Sequence, residues 1–331
     1  MSEPPGWNAW GPLGPPPPEE PRRLVPVSFG GLLEITARLA RRHAGRLLVL
    51  AALFLLPAWL LNAAAGLQLV SAVLEALPVP AGIEPVRRPV TFTPEQTRRI
   101  AEAALLLLGT SALVGSAGAV AGAAFSDVVE QDYRGLEPSV GHAGARALRR
   151  LPAMLGVILL STVALLGVLL GGLVLAALLS LIGGIDPSGG GLGVFLGLVV
   201  MVAFVAAVIV MSIRWSLSNV IVALEEAGPL RALVRSWRLT AGVAWRTLGV
   251  LLSVTLVAAV IGGLLSEILG LTFADLIFGE SSQNALIVRT IISATLSVAL
   301  APLLPLALTV LYFDQRVRRE AFDLDVGPEN P

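Results

Sequence analysis

Apolar residues run along this chain in six blocks, Leu47 to Ala65, Ala101 to Phe125, Met154 to Ile182, Leu192 to Ile213, Leu248 to Leu269 and Ile291 to Phe313. Each is almost free of charge. A hydrocarbon core about 30 Å thick takes about 20 helical residues at 1.5 Å rise per residue, so the blocks have the length of membrane crossings. Lipid offers no partner to an unpaired backbone group, and barrel strands would show short alternating runs, so helices are expected. The predicted fold class is all-α: a polytopic transmembrane bundle of six spans over residues 28–319. A disordered Pro-rich tail (1–27) precedes it and a short tail (320–331) follows.

Between the blocks the pattern changes to the 3.6-residue period of amphipathic helices. Phe29, Leu32, Ile35, Thr36, Leu39 and Ala40 gather on one face opposite Glu34, Arg38 and Arg41. Val140, Ala143, Ala147 and Leu151 stand against His142, Arg146 and Arg149. Leu230, Leu233, Val234, Trp237 and Ala241 form a face flanked by Arg231, Arg235 and Arg238. Each segment precedes an odd-numbered span, which predicts three tandem units of surface helix, span, outer loop and span. Helices of this kind lie in the membrane interface with guanidinium groups at anionic headgroups. Arg38, Arg41, Arg146, Arg149, Arg231, Arg235 and Arg238 are therefore the candidate anionic-lipid contacts; the simpler role for the same segments is as elbows that position the spans.

Small residues occur at the spacing that lets membrane helices approach closely. Ser111, Gly115, Ala119 and Ala123 form a ridge at intervals of four, and Gly167 with Gly171 and Gly193 with Gly197 are G-x-x-x-G pairs. Spans two, three and four are accordingly expected to form the packed centre. Thr93-Pro94-Glu95-Gln96 has the form of a capping box with Pro at the first helical position, which would start span two. Pro57, Pro302 and Pro305 are expected to kink spans one and six. Asn62, Ser293, Thr295 and Ser297 are the main polar residues within spans, expected to hydrogen-bond between helices.

Composition narrows the chemistry. Of the 331 residues 55% are hydrophobic and the mean hydropathy is +0.82, so lipid is the main solvent. The 23 basic residues, all Arg, balance 23 acidic ones. All but Arg87, Arg88, Arg98, Arg99 and Arg289 fall on one side of the six-span layout, which predicts that both termini are cytoplasmic. The absence of Cys excludes disulfides, thiolate nucleophiles and Cys-ligated zinc. Only His43 and His142 are present, and no metal-ligand, Walker, Rossmann or nucleophile-elbow motif occurs, so no catalytic, cofactor or metal residues are assigned. His43, on the apolar face of its helix, reads as a half-buried interfacial ring. No ionisable residue falls at an expected midplane, where ion-coupled transporters place them. Pro15 to Pro18 make the leader polyproline-like; Trp7 and Trp10 are a candidate docking motif, and the simpler reading is a solvated tail.

Three stretches carry a resemblance. Ser28-Phe29-Gly30-Gly31-Leu32-Leu33-Glu34, continuing through Arg38-Leu39 to Arg41-Arg42-His43, is similar to the opening helix of the membrane domain fused to some glycerophosphoryl diester phosphodiesterases and also found alone in bacteria. Gly31 stands where that family usually has an acid, and Glu34 where Asp is usual. Gly228-Pro229-Leu230, Ser236-Trp237-Arg238-Leu239 and Trp245-Arg246-Thr247-Leu248-Gly249 resemble its segment before span five. Leu311-Tyr312-Phe313-Asp314, with Arg316 to Leu324, resembles its closing stretch. The resemblance implies a six-helix bundle in the cell membrane, and it does not carry the phosphodiesterase, which belongs to a separate soluble barrel with its own His and Glu ligands. The expected function is thus a non-enzymatic membrane scaffold or organising module touching anionic lipid, with a membrane-protein partner or second copy as further contact and no nucleic acid. The alternative is a transporter or lipid-handling permease with a path beside the kinked spans one and six.

Overall fold

The computed structural model of the chain describes residues 27–77, 92–184, 190–279 and 283–320. Among these residues every regular element is helical, and six helices are long and apolar enough to cross a membrane. The expectations for the leader and its Trp7 and Trp10, for the loop with Arg87 and Arg88, and for the tail past Glu320 lie outside the described residues.

Ser28 caps α1 (Phe29–Arg42) by accepting from the Gly31 N–H at 3.1 Å, and α1 turns Leu32, Thr36 and Leu39 inward. The first crossing is made of two pieces, α2 (Ala44–Phe54) and α3 (Leu56–Ala76). Pro57 sits in the first turn of α3, where its missing N–H costs little, and Leu55 separates the two pieces. α4 (Pro94–Tyr133) opens with the reciprocal capping box: Gln96 N donates to Thr93 Oγ1 at 3.2 Å and Thr93 N to Gln96 Oε1 at 2.9 Å. Its uncharged run from Ala103 to Ser126 covers about 36 Å, so the acid-bearing last turns stand beyond the hydrocarbon.

α5 (Val140–Gly184) has 45 residues and corrects one expectation. The segment Val140 to Leu151 is not a separate surface helix but the emergent end of span three, continuous through Pro152. A proline inside a helix removes one backbone hydrogen bond, and the helix runs on through that loss. The threefold pattern therefore holds for the first and third units only. α6 (Gly190–Arg214) returns across the bundle and leads into α7 (Ser218–Glu225). α8 (Pro229–Thr240) is a distinct amphipathic helix, entered after Glu226 in the left-handed region (φ 56°) and left through Gly242 at φ 75°. α9 (Ala244–Leu269) runs on into a π-helical turn, Gly270–Asp275, and the single turn α10 (Leu276–Phe278). The last crossing is again broken: α11 (Gln283–Leu300) and α12 (Leu303–Glu320) meet at Ala301 and Pro302.

The packed core sits at one end of the bundle. Val120 to Val129 of α4, Ile221 of α7, Leu233 of α8, and Leu306 to Tyr312 of α12 interlock there with Leu32 and Leu50. Away from that end the spans expose leucines over most of their circumference, for example Leu105, Leu159, Leu198 and Leu264, which suits lipid and not water.

The packed centre joins α4 to α7, α12 and the emergent part of α5; of the expected contacts among spans two, three and four, α4 meets α5 and α5 pairs with α6. Gly115 and Gly167 are exposed and have no atom within 4 Å of where a Cβ would stand, and Gly171 only grazes Phe204 at 3.9 Å. Gly193 is buried, and at Gly197 a Cβ would meet Ser180 Oγ at 2.5 Å and the Ala176 carbonyl at 2.8 Å. Gly197, with Gly172 under the Phe204 ring, lets α5 and α6 pair closely.

Candidate functional site

At the packed end the helices are tied by arginine–carboxylate clamps, most of whose acids are withdrawn from solvent. Asp127 and Glu130, one turn apart near the end of α4, both accept from Arg146 of α5 at 2.6 Å. Glu130 also pairs with Arg134 at 2.5 Å. Asp132 holds His43 Nε2 at 2.9 Å and Arg42 at 3.2 Å, joining the α1–α2 corner to α4. Glu225 of α7 takes Arg235 Nε at 2.6 Å and the Tyr312 hydroxyl at 2.7 Å, and Glu320 takes Arg235 and Arg316, each at 3.0 Å. Arg150 pairs with Glu226 across the α5–α7 corner, and its guanidinium holds the Glu226 carboxyl below the usual carboxylate range. Burial lowers the Arg235 pKa, but the hydrogen bonds to Glu225 and Glu320 outweigh it and the pKa is raised.

The most connected of these clamps brings the two ends of the described chain together. Asp314 of α12, 3% exposed, accepts from the Val27 backbone N–H at 2.8 Å and from Arg318 at 3.0 Å, with Arg246 of α9 3.1 Å away. Arg246 and Arg318 also donate to the Val27 carbonyl, at 2.5 and 2.8 Å. The three stretches that carry the sequence resemblance thus meet at one point.

Of the candidate lipid contacts, Arg146 and Arg235 are spent on these internal acids. Arg38 reaches Glu34 at 2.7 Å on the exposed face of α1, and Arg41 touches only the Ala37 carbonyl of its own helix. Arg149, Arg231 and Arg238 are exposed, and their side chains have no hydrogen-bond or ion-pair partner among the described residues. The structure does not bring the seven together; it divides them between internal clamps and open surface. His43, expected as a half-buried ring, is buried and paired.

Sequence reasoning passed over Asp127, Glu130, Asp132, Glu225 and Asp314, all near span ends where acids read as solvated. One signal was present: Asp127 and Glu130 are three apart, on one helix face, at the foot of a span whose next segment carries Arg146.

A second feature lies within the apolar region, between α3, α9 and α11. Two adjoining cavities of about 470 and 650 Å³ share Trp59, Ser266, Glu267 and Ser293. One includes Asn62 and Thr290, and the other runs past Thr255 and Ser297 to Ala301, beside the break at Pro302. Glu267 and Arg289, 3.9 Å apart, stand in the wall toward the end remote from the clamps. Asn62 Oδ1 accepts from Thr110 and Ser111 of α4 at 3.0 and 2.9 Å, the interhelical role expected of it. Thr295 bonds within its own helix, to Ile291 O at 2.8 Å. Among the described residues no group of three or more His, Asp or Glu is placed to hold a metal ion.

No curated protein and no solved structure matches the chain. A family model does, over residues 147–317, a stretch that takes in the Glu225, Glu226 and Arg246–Asp314 pairs, the α5–α6 pair and the cleft walls of α9 and α11, and leaves out Asp127, Glu130 and Asp132. That match covers just over half of the sequence, and the chain belongs to this family, described as a domain of unknown function, DUF8558.

Proposed function

We propose that the chain is a non-enzymatic transporter or lipid-handling permease of the cell membrane, whose path runs through the cleft between α3, α9 and α11. The observation that carries this reading is the position of the cleft, which lies beside both proline-broken crossings. Trp59 stands two residues beyond Pro57, and Ala301 and Leu304 flank Pro302. A break frees backbone carbonyls and leaves a weak joint about which half-helices tilt, the arrangement transporters use near their substrates. The lining of Ser, Thr, Asn and one ion pair among apolar residues suits an amphiphile better than a bare ion. Because the chain has no Cys, single cysteines at Thr255, Ser293 and Ser297 report directly on access. A membrane-impermeant maleimide is expected to label them and to spare a lipid-facing Leu264→Cys control; three unlabelled positions would exclude the path.

The arginine distribution supports a bundle with both termini in the cytoplasm. Kinship with the membrane domain of glycerophosphoryl diester phosphodiesterases belongs to the same reading, supported by the convergence of its three stretches at Asp314.

A second reading, a scaffold that organises anionic lipid through its surface helices, is favoured by the exposed guanidinium groups of Arg38, Arg41, Arg149 and Arg231. It predicts that substituting all four by Gln lowers binding to anionic nanodiscs severalfold at low salt, the effect shrinking as salt is raised. Equal binding to neutral discs would dispose of it.

A further inference from the structure

An apolar groove of about 450 Å³ opens between α5 and α8 at the packed end, walled by Leu160 and Ala164 below and by Trp215, Leu233, Trp237 and Arg238 above. It shares no lining residue with the cleft. The two indoles lie 6.4 Å apart and tilted by 56°, and the Arg214 guanidinium lies 5.3 Å over the Trp237 ring. The local fold fixes this arrangement: Ser236 and Thr240 of α8 donate to the Arg214 carbonyl at 2.7 and 3.2 Å, holding the end of α6 against α8. Gly156 lets Pro229 sit directly on α5, where a Cβ would stand 2.5 Å from the proline ring.

Two arginines at this end differ from those in the clamps: Arg238, which lines the groove, and Arg214, which lies against the Trp237 ring next to the lining residue Trp215 and outside the lining itself. Arg214 Nε and Nη1 are buried and have no hydrogen-bond partner, and Arg238 has no ion-pair partner among the described residues. No acid lines the groove. Buried cationic donors without an acceptor call for an anion, and a wall of Leu, Ala and Trp calls for hydrocarbon. The groove also starts at the interface and descends: Ala164 lies about 21 Å along α5 from Arg150, the last charge on that helix. Exposed Leu159 and Val163 beside it open onto the apolar belt, so what enters comes from the bilayer.

The geometry points to a binding site for one phosphate-bearing membrane lipid, with an acyl chain in the groove and the phosphate held by Arg214 and Arg238. Indoles stationed at the headgroup level and guanidinium forks suited to phosphate oxygens complete the recognition. The site stands apart from the permease reading, and cysteine access in the cleft is unaffected by its outcome.

The test is native mass spectrometry of the full chain released from nanodiscs of equimolar phosphatidylglycerol and phosphatidylcholine. Wild type is expected to carry one phosphatidylglycerol in preference to phosphatidylcholine by about tenfold. Arg214→Gln with Arg238→Gln should cut that load at least about fivefold, while Arg134→Gln, a charge removed from the same end outside the groove, leaves it unchanged. Ala164→Trp fills the groove with both guanidinium groups in place and should expel the lipid equally, so it carries the test alone if the charge variant fails to fold. Equal retention of the two lipids, an equal loss from Arg134→Gln, or a full load in Ala164→Trp would each overturn the site.

Discussion

Asp314 concentrates more interactions than any other carboxylate at the packed end, because one backbone N–H and two guanidinium groups converge on it. Removing one partner of a buried pair strands the others, which costs more than the pair contributes when intact. Asp314→Ala is therefore expected to destabilise the detergent-solubilised protein by about 3–5 kcal/mol, read as a lower unfolding midpoint. A loss under about 1 kcal/mol would mean that the clamp is solvated. Such residues were hard to read in advance. Val27 and Asp314 are 287 positions apart, and Tyr312 and Glu225 are 87, so nothing local announces either contact. The Thr93 capping box was legible because both partners fall within one turn.

For elements, legibility followed length and periodicity. Twenty-odd uncharged residues can hardly be anything but a crossing, and α1 and α8 showed their faces plainly in the order of residues. What the pattern could not reveal was continuity: an amphipathic stretch and the span after it have the same helical period whether they are joined or hinged, which is why Val140 to Leu151 reads as a separate helix and proves to be part of α5. The glycines failed for a related reason. G-x-x-x-G marks a face able to approach another helix without saying whether one is present, so Gly167 faces outward while Gly197 meets the α5 backbone. Gly167→Ala should be neutral or stabilising by up to about 1 kcal/mol, the helical preference of Ala over Gly. Gly197→Ala should cost about 1–3 kcal/mol, since the backbone it meets has little room to give. A matched pair of unfolding curves distinguishes the two, and equal effects would refute the α5–α6 contact.

At the scale of the whole molecule the fold is asymmetric along the membrane normal. One end is dry, charged and interlocked; the other is a set of apolar rods separated by a cleft. Rigidity therefore belongs to the clamped end, and motion is expected where α3, α9 and α11 are held apart by the cleft. A chain stopped after Tyr312 keeps almost every apolar residue of its last crossing but loses Asp314, and trypsin should cut it at Arg41 or Arg42 under conditions that spare the full-length protein. Equal resistance of the two would show that α1 is held by its apolar face alone.

The seam between Val27 and Asp314 also orders events in time. Synthesis delivers α1 long before its acceptor exists, so α1 waits on the surface until the sixth crossing is made and α12 fastens it. A protein built this way checks the insertion of its sixth crossing: a nascent chain that stalls before α12 or inserts it upside down leaves α1 dangling, where proteases and chaperones can find it.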